Sequence, residues 1–356
     1  MGQSTPINAN LTPISEKGVK TLQTHADAIS AEVTDRYFEK HPECYKGGAD
    51  KIRQMCKADF HHHLRFLLSA MVTATTEIFY DYATWLKDVL ERRNLSLEHP
   101  IDSFTFMQTA IVARLDIQDQ PVANAVMEAG LRALNEKDSQ LHDFDARFNH
   151  NDTPNYTQAL IQGNRAGAES IVTKGVDEGI GLIELEVGII QPAMYEIGRL
   201  WQQNKITVAQ EHLATAISQN TLARAFLSAD FADPNDKKVV CACVEGNQHG
   251  LGLRMVSDAF ELAGWDSTFL GADTPNNSLI QQVDLEKPDA IAVSISMPHQ
   301  ILALSQLIGT LKSEFSGHCP AIVVGGLALN HHGDLAKRLV VDNWYQDAKG
   351  LADDLS

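Results

Sequence analysis

The stretch "GRLWQQNKITVAQEHLATA", residues 198–216, places Trp201 ahead of an adjacent acid and imidazole, Glu211 and His212, in the pattern W-x9-EH. Further along, "EGNQHGLG" carries a lone imidazole, His249, among Gly246, Gly250 and Gly252. Neutral histidine is the commonest metal ligand in proteins. A protein-only centre needs several Cys, His or acidic donors at ligand spacing, and none stands beside His249. A metal that brings its own equatorial ligands needs one axial imidazole, which points to a macrocycle, either haem or corrinoid. Taken singly, Trp201 reads as a core aromatic and His212 as a helix-surface histidine; their joint spacing raises both above that. No nucleophile–base pair, acid–base carboxylate pair, G-x-G-x-x-G or Walker loop is legible, so the chain reads as a non-enzyme. Cys241 and Cys243 form C-x-C on one face of a strand-like run, where core packing is the favoured role.

The elements that must position these residues fall into blocks. The chain has 356 residues, too many for one core, so two or three domains are expected. Residues 1–13 read as a disordered polar tail, without the apolar segment of a secretory signal. Residues 14–150 read as an all-helical region, with apolar residues spaced at three and four. The run "KIRQMCKADFHHHLRFLLSAMVTATTEIFYDYATWLKDVLERR" predicts two helices or one kinked helix. A linker, "FDARFNHNDTPNY", leads into a second helical block over 154–232, four helices with short joints that suggest a small bundle. From 236 to 356 apolar runs alternate with helices, the rhythm of a doubly wound parallel α/β domain. The fold class is therefore multidomain: an all-α N-terminal region, a four-helix bundle and a C-terminal Rossmann-like domain. Ligands of such α/β domains bind beyond the strand ends, here "EGNQHGLG", "LGADTP", "SISMPHQ" and "GGLALNHH".

Composition restricts partners. The net charge is −17 without a basic cluster, which argues against direct nucleic-acid binding. No apolar run is long enough to span a membrane. The five cysteines read as reduced thiols of a cytoplasmic protein.

"NQHGLG" matches the spacing of the D/E-x-H-x-x-G signature of cobalamin-binding domains. "GADTP", with Asp273, after the second strand and Gly325-Gly326 after the fourth complete that domain's usual set. The W-x9-EH pattern in the preceding bundle resembles the helical cap of CarH-type adenosylcobalamin photoreceptors. The resemblance covers about residues 154–350. It implies that His249 is the lower axial ligand of cobalt, followed by Gly252. The nucleotide tail would pass beside Ser294, Ser296, Gly325 and Gly326. Trp201, Glu211 and His212 would lie over the upper face, and His212 would ligate cobalt from above once light has broken the cobalt–carbon bond. Two positions depart from the pattern. Asn247 stands where an acid is usual, and an acid there would hydrogen-bond the axial imidazole; the Asn247 oxygen is expected to accept that bond instead. The third strand end reads S-x-S rather than S-x-L.

The N-terminal region lacks the DNA-binding domain of CarH-type repressors and resembles the helical sensor region of photocobilins, which carry adenosylcobalamin and biliverdin. That resemblance implies a bilin slot. His61, His62, His63, Arg65, Phe79, Tyr80, Tyr82 and Trp85 share a helical register that could line it, with His63 and Tyr82 foremost, and Arg92 and Arg93 could meet propionates. Three consecutive helical histidines face different ways, so at most two serve one pocket. The expectation is a light sensor with adenosylcobalamin and biliverdin as chromophores, acting through light-dependent homo-oligomerisation or a downstream effector. The alternative is a corrinoid methyl carrier serving a methyltransferase. A cobalamin mutase fragment is disfavoured because no substrate barrel is present, and a globin-like haem sensor because His249 and its glycines are intact.

Overall fold

A computed structural model describes residues 11–42, 49–137 and 150–355. Residues 1–10 of the expected tail, Cys44 and residues 144–149 of the expected linker lie outside the described residues. The chain forms two compact units, Met1–Leu141 and His142–Ser356. No helix among the described residues is long and apolar enough to cross a membrane.

The first unit is helical: α1 (Glu16–Thr24), α2 (Ala26–Lys40), α3 (Ala49–Thr73), α4 (Thr76–Glu91), α5 (Glu98–Val112) and α6 (Gln120–Asn135). The long apolar run breaks into two helices at Ala74, whose φ of +50° cannot continue a right-handed helix. Phe79, Phe104, Met107, Ile111, Val126 and Met127 are fully or almost fully buried and form its core. The α4 and α6 axes approach closely at Gly130, where an added Cβ would sit 2.5 Å from the Phe79 ring.

The second unit begins with α7 (Thr153–Ile161), α8 (Arg165–Asp177), α9 (Leu182–Leu185), a π turn (Glu186–Ile190) that runs straight into α10 (Gln191–Gln202), and α11 (Val208–Phe226). The expected linker therefore ends earlier than its composition suggests. Pro154 occupies the first turn of α7, where a missing N–H costs nothing, and Tyr156 is fully buried. The π turn has a local cause. Pro192 has no N–H for the Gly188 carbonyl, and the ladder widens so that Gln191 N–H meets the Glu186 carbonyl. The Gly188 carbonyl accepts instead from His150 N–H at 3.0 Å and Thr153 Oγ1 at 2.9 Å, anchoring the start of α7.

The α/β part follows as β1 (Lys238–Cys243), α12 (Leu251–Leu262), β2 (Asp266–Gly271), α13 (Asn276–Glu286), β3 (Ala290–Ser294), α14 (Ile301–Glu314), β4 (Ala321–Gly325), α15 (Leu327–His331), α16 (Gly333–Arg338), β5 (Asn343–Tyr345) and α17 (Ala348–Leu355). The strands pair in parallel in the order β2-β1-β3-β4-β5. Strand β3 is buried throughout and β1 beyond its first residue, as parallel strands covered on both faces must be. The run "AIVVGGLAL" is not one strand. Gly326 turns the chain at φ +105°, and Leu327–His331 coils into α15. In this strand order the winding reverses between β1 and β3, which opens a crevice at their C-terminal ends.

Candidate functional site

The loops after β1 and β3 flank that crevice. Asn247 is fully buried beneath the first loop. Its amide donates to the Ser294 carbonyl at 3.0 Å, and its oxygen accepts the backbone N–H of His249 at 3.1 Å. The expected bond from the His249 ring to that oxygen is replaced by this backbone bond, an Asx-type turn that sets the direction of the residue carrying the ring.

Asp273, held at φ +52° after β2, clamps the same loop. Its two carboxylate oxygens accept from Gly246 N–H and Gln248 Nε2, each at 2.7 Å, and its own N–H donates to the Asn247 carbonyl at 2.8 Å. Gln300, almost fully buried, adds a brace that sequence reasoning missed. Its oxygen accepts from Ser296 and Met297 N–H at 2.8 and 3.0 Å, and its amide donates to the Gly246 carbonyl at 3.0 Å. The only local signal was a glutamine two residues after Pro298, and nothing in the sequence reveals its reach across the crevice. Three strand-end loops are thus tied into one rigid rim.

His249 stands on this rim with its side chain exposed. Enough protein surrounds the ring that burial lowers its pKa below the usual histidine value, while the Glu211 carboxylate acts in the opposite direction. The imidazole is therefore neutral at neutral pH, the form that donates a lone pair to a metal. Within the same unit, α11 packs against α12, the helix that starts from the His249 loop.

On α11, Thr207 caps the first turn through a reciprocal pair with Gln210. Glu211 Oε2 meets His212 Nδ1 at 2.5 Å, and Thr215 Oγ1 donates to Glu211 Oε1 at 3.3 Å. With Nδ1 engaged, the His212 ring keeps Nε2 for another partner, and its side chain is 74% exposed. Trp201 is half-buried near the end of α10, packed on the bundle core, and flanks the turn that leads into α11.

The glycines of the site divide by cause. An added Cβ would lie 2.9 Å from the Tyr345 carbonyl at Gly325 and 2.1 Å from the Ile295 carbonyl at Gly326. Close approach of protein to protein, rather than to a bulky ligand, demands glycine at both. Gly252, on the first turn of α12, has nothing within 4 Å of its Cβ position. Ser294 is buried and Ser296 half-buried. Among the described residues no group of three or more His, Cys, Asp or Glu could hold a metal ion, so a metal at His249 must carry its other donors. An exposed neutral imidazole on a braced rim, with open space at Gly252, fits a corrinoid in that respect.

The first unit places its candidates differently. His63 and Tyr82 are both buried, and the His63 Nδ1 and Tyr82 hydroxyl meet at 2.6 Å. The Tyr82 ring stacks on Phe66 at 3.8 Å, and His63 packs edge-on against Phe104. Burial pushes His63 down to about 3 and raises the Tyr82 hydroxyl. Here the two residues sit in a packed aromatic core and engage each other, instead of facing an open slot. The triple histidine diverges as expected: His61 pairs with Asp27 at 3.0 Å on the surface, and His62 is half-buried against Phe66 and Tyr82. Tyr80 donates to Glu136 at 2.5 Å beneath the Arg132 guanidinium, and Arg92 pairs with Asp88 at 2.8 Å. The cysteines among the described residues are free thiols.

Comparison with known proteins agrees with this division. Residues 155–225 and residues 237–346 each match a B12 binding domain model, and residues 15–134 match the phycobilisome protein model. The HTH-type transcriptional repressor CarA of Myxococcus xanthus is 28% identical over 165 residues, covering 45% of this chain and 54% of the repressor. Dimethylamine corrinoid protein 3 of Methanosarcina acetivorans is 26% identical over 161 residues, covering 44% of this chain and 68% of that protein. The matched region spans about half the length of the CarA and CarH repressors. The Methanosarcina barkeri monomethylamine corrinoid protein superposes with a TM-score of 0.48 at 17% identity, over 56% of this chain and 94% of that one. The second compact unit thus carries two B12-binding domains in tandem, homologous at low identity to the CarA and CarH repressors and to corrinoid proteins.

Proposed function

We propose that this chain is a light sensor rather than a catalyst, and that the tandem domains bind adenosylcobalamin between them. The observation that carries the reading is the exposed His249 on a three-loop rim braced by Asn247, Asp273 and Gln300. His249 would offer its ring lone pair to the cobalt. Gly252, Ser294 and Ser296 would border the space for the nucleotide tail. Glu211 would hold His212 by Nδ1 and direct Nε2 toward the upper face, and Trp201 would shield that face from water. When bound, adenosylcobalamin supplies a cobalt–carbon bond that visible light can break. His212 would keep Nε2 available to hold the group from the bundle side once that bond is broken, and a resulting shift of α11 would alter how copies of the chain assemble.

Biliverdin is proposed as a second chromophore of the first unit. The phycobilisome protein match falls on the same residues for which the sequence implies a bilin region. Since His63 and Tyr82 are engaged with each other, bilin binding there would have to open that pair. The acidic charge of −17 favours a protein partner over nucleic acid as the output.

Absorption spectra of protein loaded with adenosylcobalamin and biliverdin, taken in the dark and after green then red light, test the reading. A photolysed spectrum with two imidazole ligands that His212→Ala abolishes supports it. Failure of corrinoid to bind, or an unchanged spectrum in His249→Ala, overturns it. A methyl-carrier role is the second reading, favoured by corrinoid-protein relatives at similar identity. It predicts dark methyl transfer to and from the bound corrinoid and indifference to Trp201→Ala.

A further inference from the structure

Glu186 and Asp258 are both completely buried. The first lies on the π turn of the bundle and the second on α12 of the α/β domain. None of their four carboxyl oxygens receives an aligned hydrogen bond from an N–H or O–H group. Arg254 Nη2 lies 2.6 Å from Asp258 Oδ1 as an ion pair. The same guanidinium covers the Phe226 ring of α11 at 5.1 Å and the Phe269 ring of β2 at 5.6 Å. One cation therefore touches the bundle, the sheet and Asp258.

The α9 turn that leads into Glu186 packs on α12, and the Asp258 carboxyl acts on Glu186; two such carboxylates with one guanidinium leave a net buried negative charge, which is costly to keep out of water. A proton shared between the two carboxyls removes that cost. Glu186 is the donor, because it has no cation of its own, and Asp258, facing Arg254, is the acceptor. The chemistry agrees: burial first, and then the Asp258 charge, raise Glu186 well above the usual glutamate range. Asp258 is also raised by burial, but Arg254 holds it down. Other ionisable groups around the pair are Glu261 on α12 and Cys241 on β1, both of which feel the Asp258 charge. From α17, Ala348 and Leu351 contribute apolar surface.

We infer that Glu186, Asp258 and Arg254 form a proton-locked latch that holds the helical bundle on the α/β domain. Its position suits the function proposed above. The π turn lies on the same continuous helix as Trp201, and α12 starts from the His249 loop. Any lifting of the bundle lets water reach Glu186, which then ionises and releases a proton. The sign follows from the raised pKa. The closed state has its full stability below the usual glutamate value of 4.5 and loses it as pH rises toward the raised value. In that window the closed-to-open ratio falls by up to about tenfold per pH unit, the limit for one linked proton.

The test uses the full chain. In the infrared spectrum at neutral pH, the carbonyl stretch of a protonated carboxylic acid should be present in the wild type and diminished in Glu186→Gln. The glutamine amide can still donate to Asp258, so the variant should keep the fold while losing the part of thermal stability that declines with rising pH. An unchanged carboxylic-acid band, or an unchanged pH slope, overturns the latch. If Glu186→Gln does not fold, the wild-type spectrum alone decides, since absence of any protonated-carboxyl band at neutral pH excludes the shared proton. The functional role rests on the light-sensor reading and has its own readout. Illumination of protein loaded with adenosylcobalamin, in weak buffer with an indicator dye, should release up to one proton per chain. If the band and slope behave as expected but light releases no proton, the latch stands and the light-driven lifting of the bundle fails.

Discussion

Asn247 and Ser294 are joined by a single hydrogen bond across the point where the sheet reverses its winding: the Asn247 amide donates to the Ser294 carbonyl at 3.0 Å. That bond ties the loop carrying His249 to the end of β3 and is fully buried. In Asn247→Ala the Ser294 carbonyl and the His249 N–H both lose a partner. The expected cost is about 1–3 kcal/mol for the buried groups left unsatisfied, measured as a lower urea midpoint of the second unit. Axial ligation should also become looser, seen as a faster loss of bound cobalamin.

Gln300 braces the same rim from the other side, with three hydrogen bonds to two loops. Gln300→Ala should lower cobalamin affinity by about tenfold, equivalent to about 1.4 kcal/mol. Gln300→Glu keeps the acceptor for Ser296 and Met297 but sets a buried carboxylate oxygen against the Gly246 carbonyl, so its affinity should fall at least as far as that of Gln300→Ala. Equilibrium titration with cobalamin measures both. Equal affinities for wild type and Gln300→Ala would show that the rim holds its shape without the brace.

Two glycines of the site make opposite predictions. At Gly326, with φ +105° and a carbonyl 2.1 Å from the Cβ position, alanine should cost more than about 2 kcal/mol through strain and clash. At Gly252 nothing stands within 4 Å, and alanine is a better helix former by about 1 kcal/mol. Gly252→Ala should therefore leave the melting temperature unchanged or higher while weakening cobalamin binding. Thermal melts with and without cobalamin separate the two effects.

His63 should make the first unit acid-sensitive. Its pKa is about 3 in the fold, against a usual value of 6.5. The unfolded state binds the extra proton, so stability is intact above about 6.5 and lost as pH falls toward 3, on the order of 5 kcal/mol in total. His63→Phe should flatten that slope, although the Tyr82 hydroxyl then loses its partner and baseline stability drops. Urea midpoints at several pH values for both proteins decide it.

Much of the candidate site was legible because its signals are local. A histidine among glycines after an apolar run marks a strand-end loop, and W-x9-EH is a short local pattern that spans the turn between two helices. The Thr207–Gln210 capping box is likewise a matter of residues three apart. The glycines were less legible. Composition marks Gly252, Gly325 and Gly326 alike, yet only Gly252 faces open space, because which neighbour approaches a backbone is set by the packing of distant strands. His63 and Tyr82 share a helical register, but their hydrogen bond joins two helices through a core that the register alone does not describe.

The amino-acid order by itself determined the succession of helical, helical and α/β blocks, the loop that bears His249 and the acid–imidazole pair of Glu211 with His212, because periodicity and turn chemistry act over a few residues. Only the tertiary structure decided that Asp273 and Gln300 brace that loop. It also decided that Asn247 spends its oxygen on a backbone N–H rather than on the ring, and that Glu186 and Asp258 are both completely buried. Those partners lie far apart along the chain, and their meeting depends on strand order and on a π turn forced by Pro192, which set the distances on which hydrogen bonds and charges act.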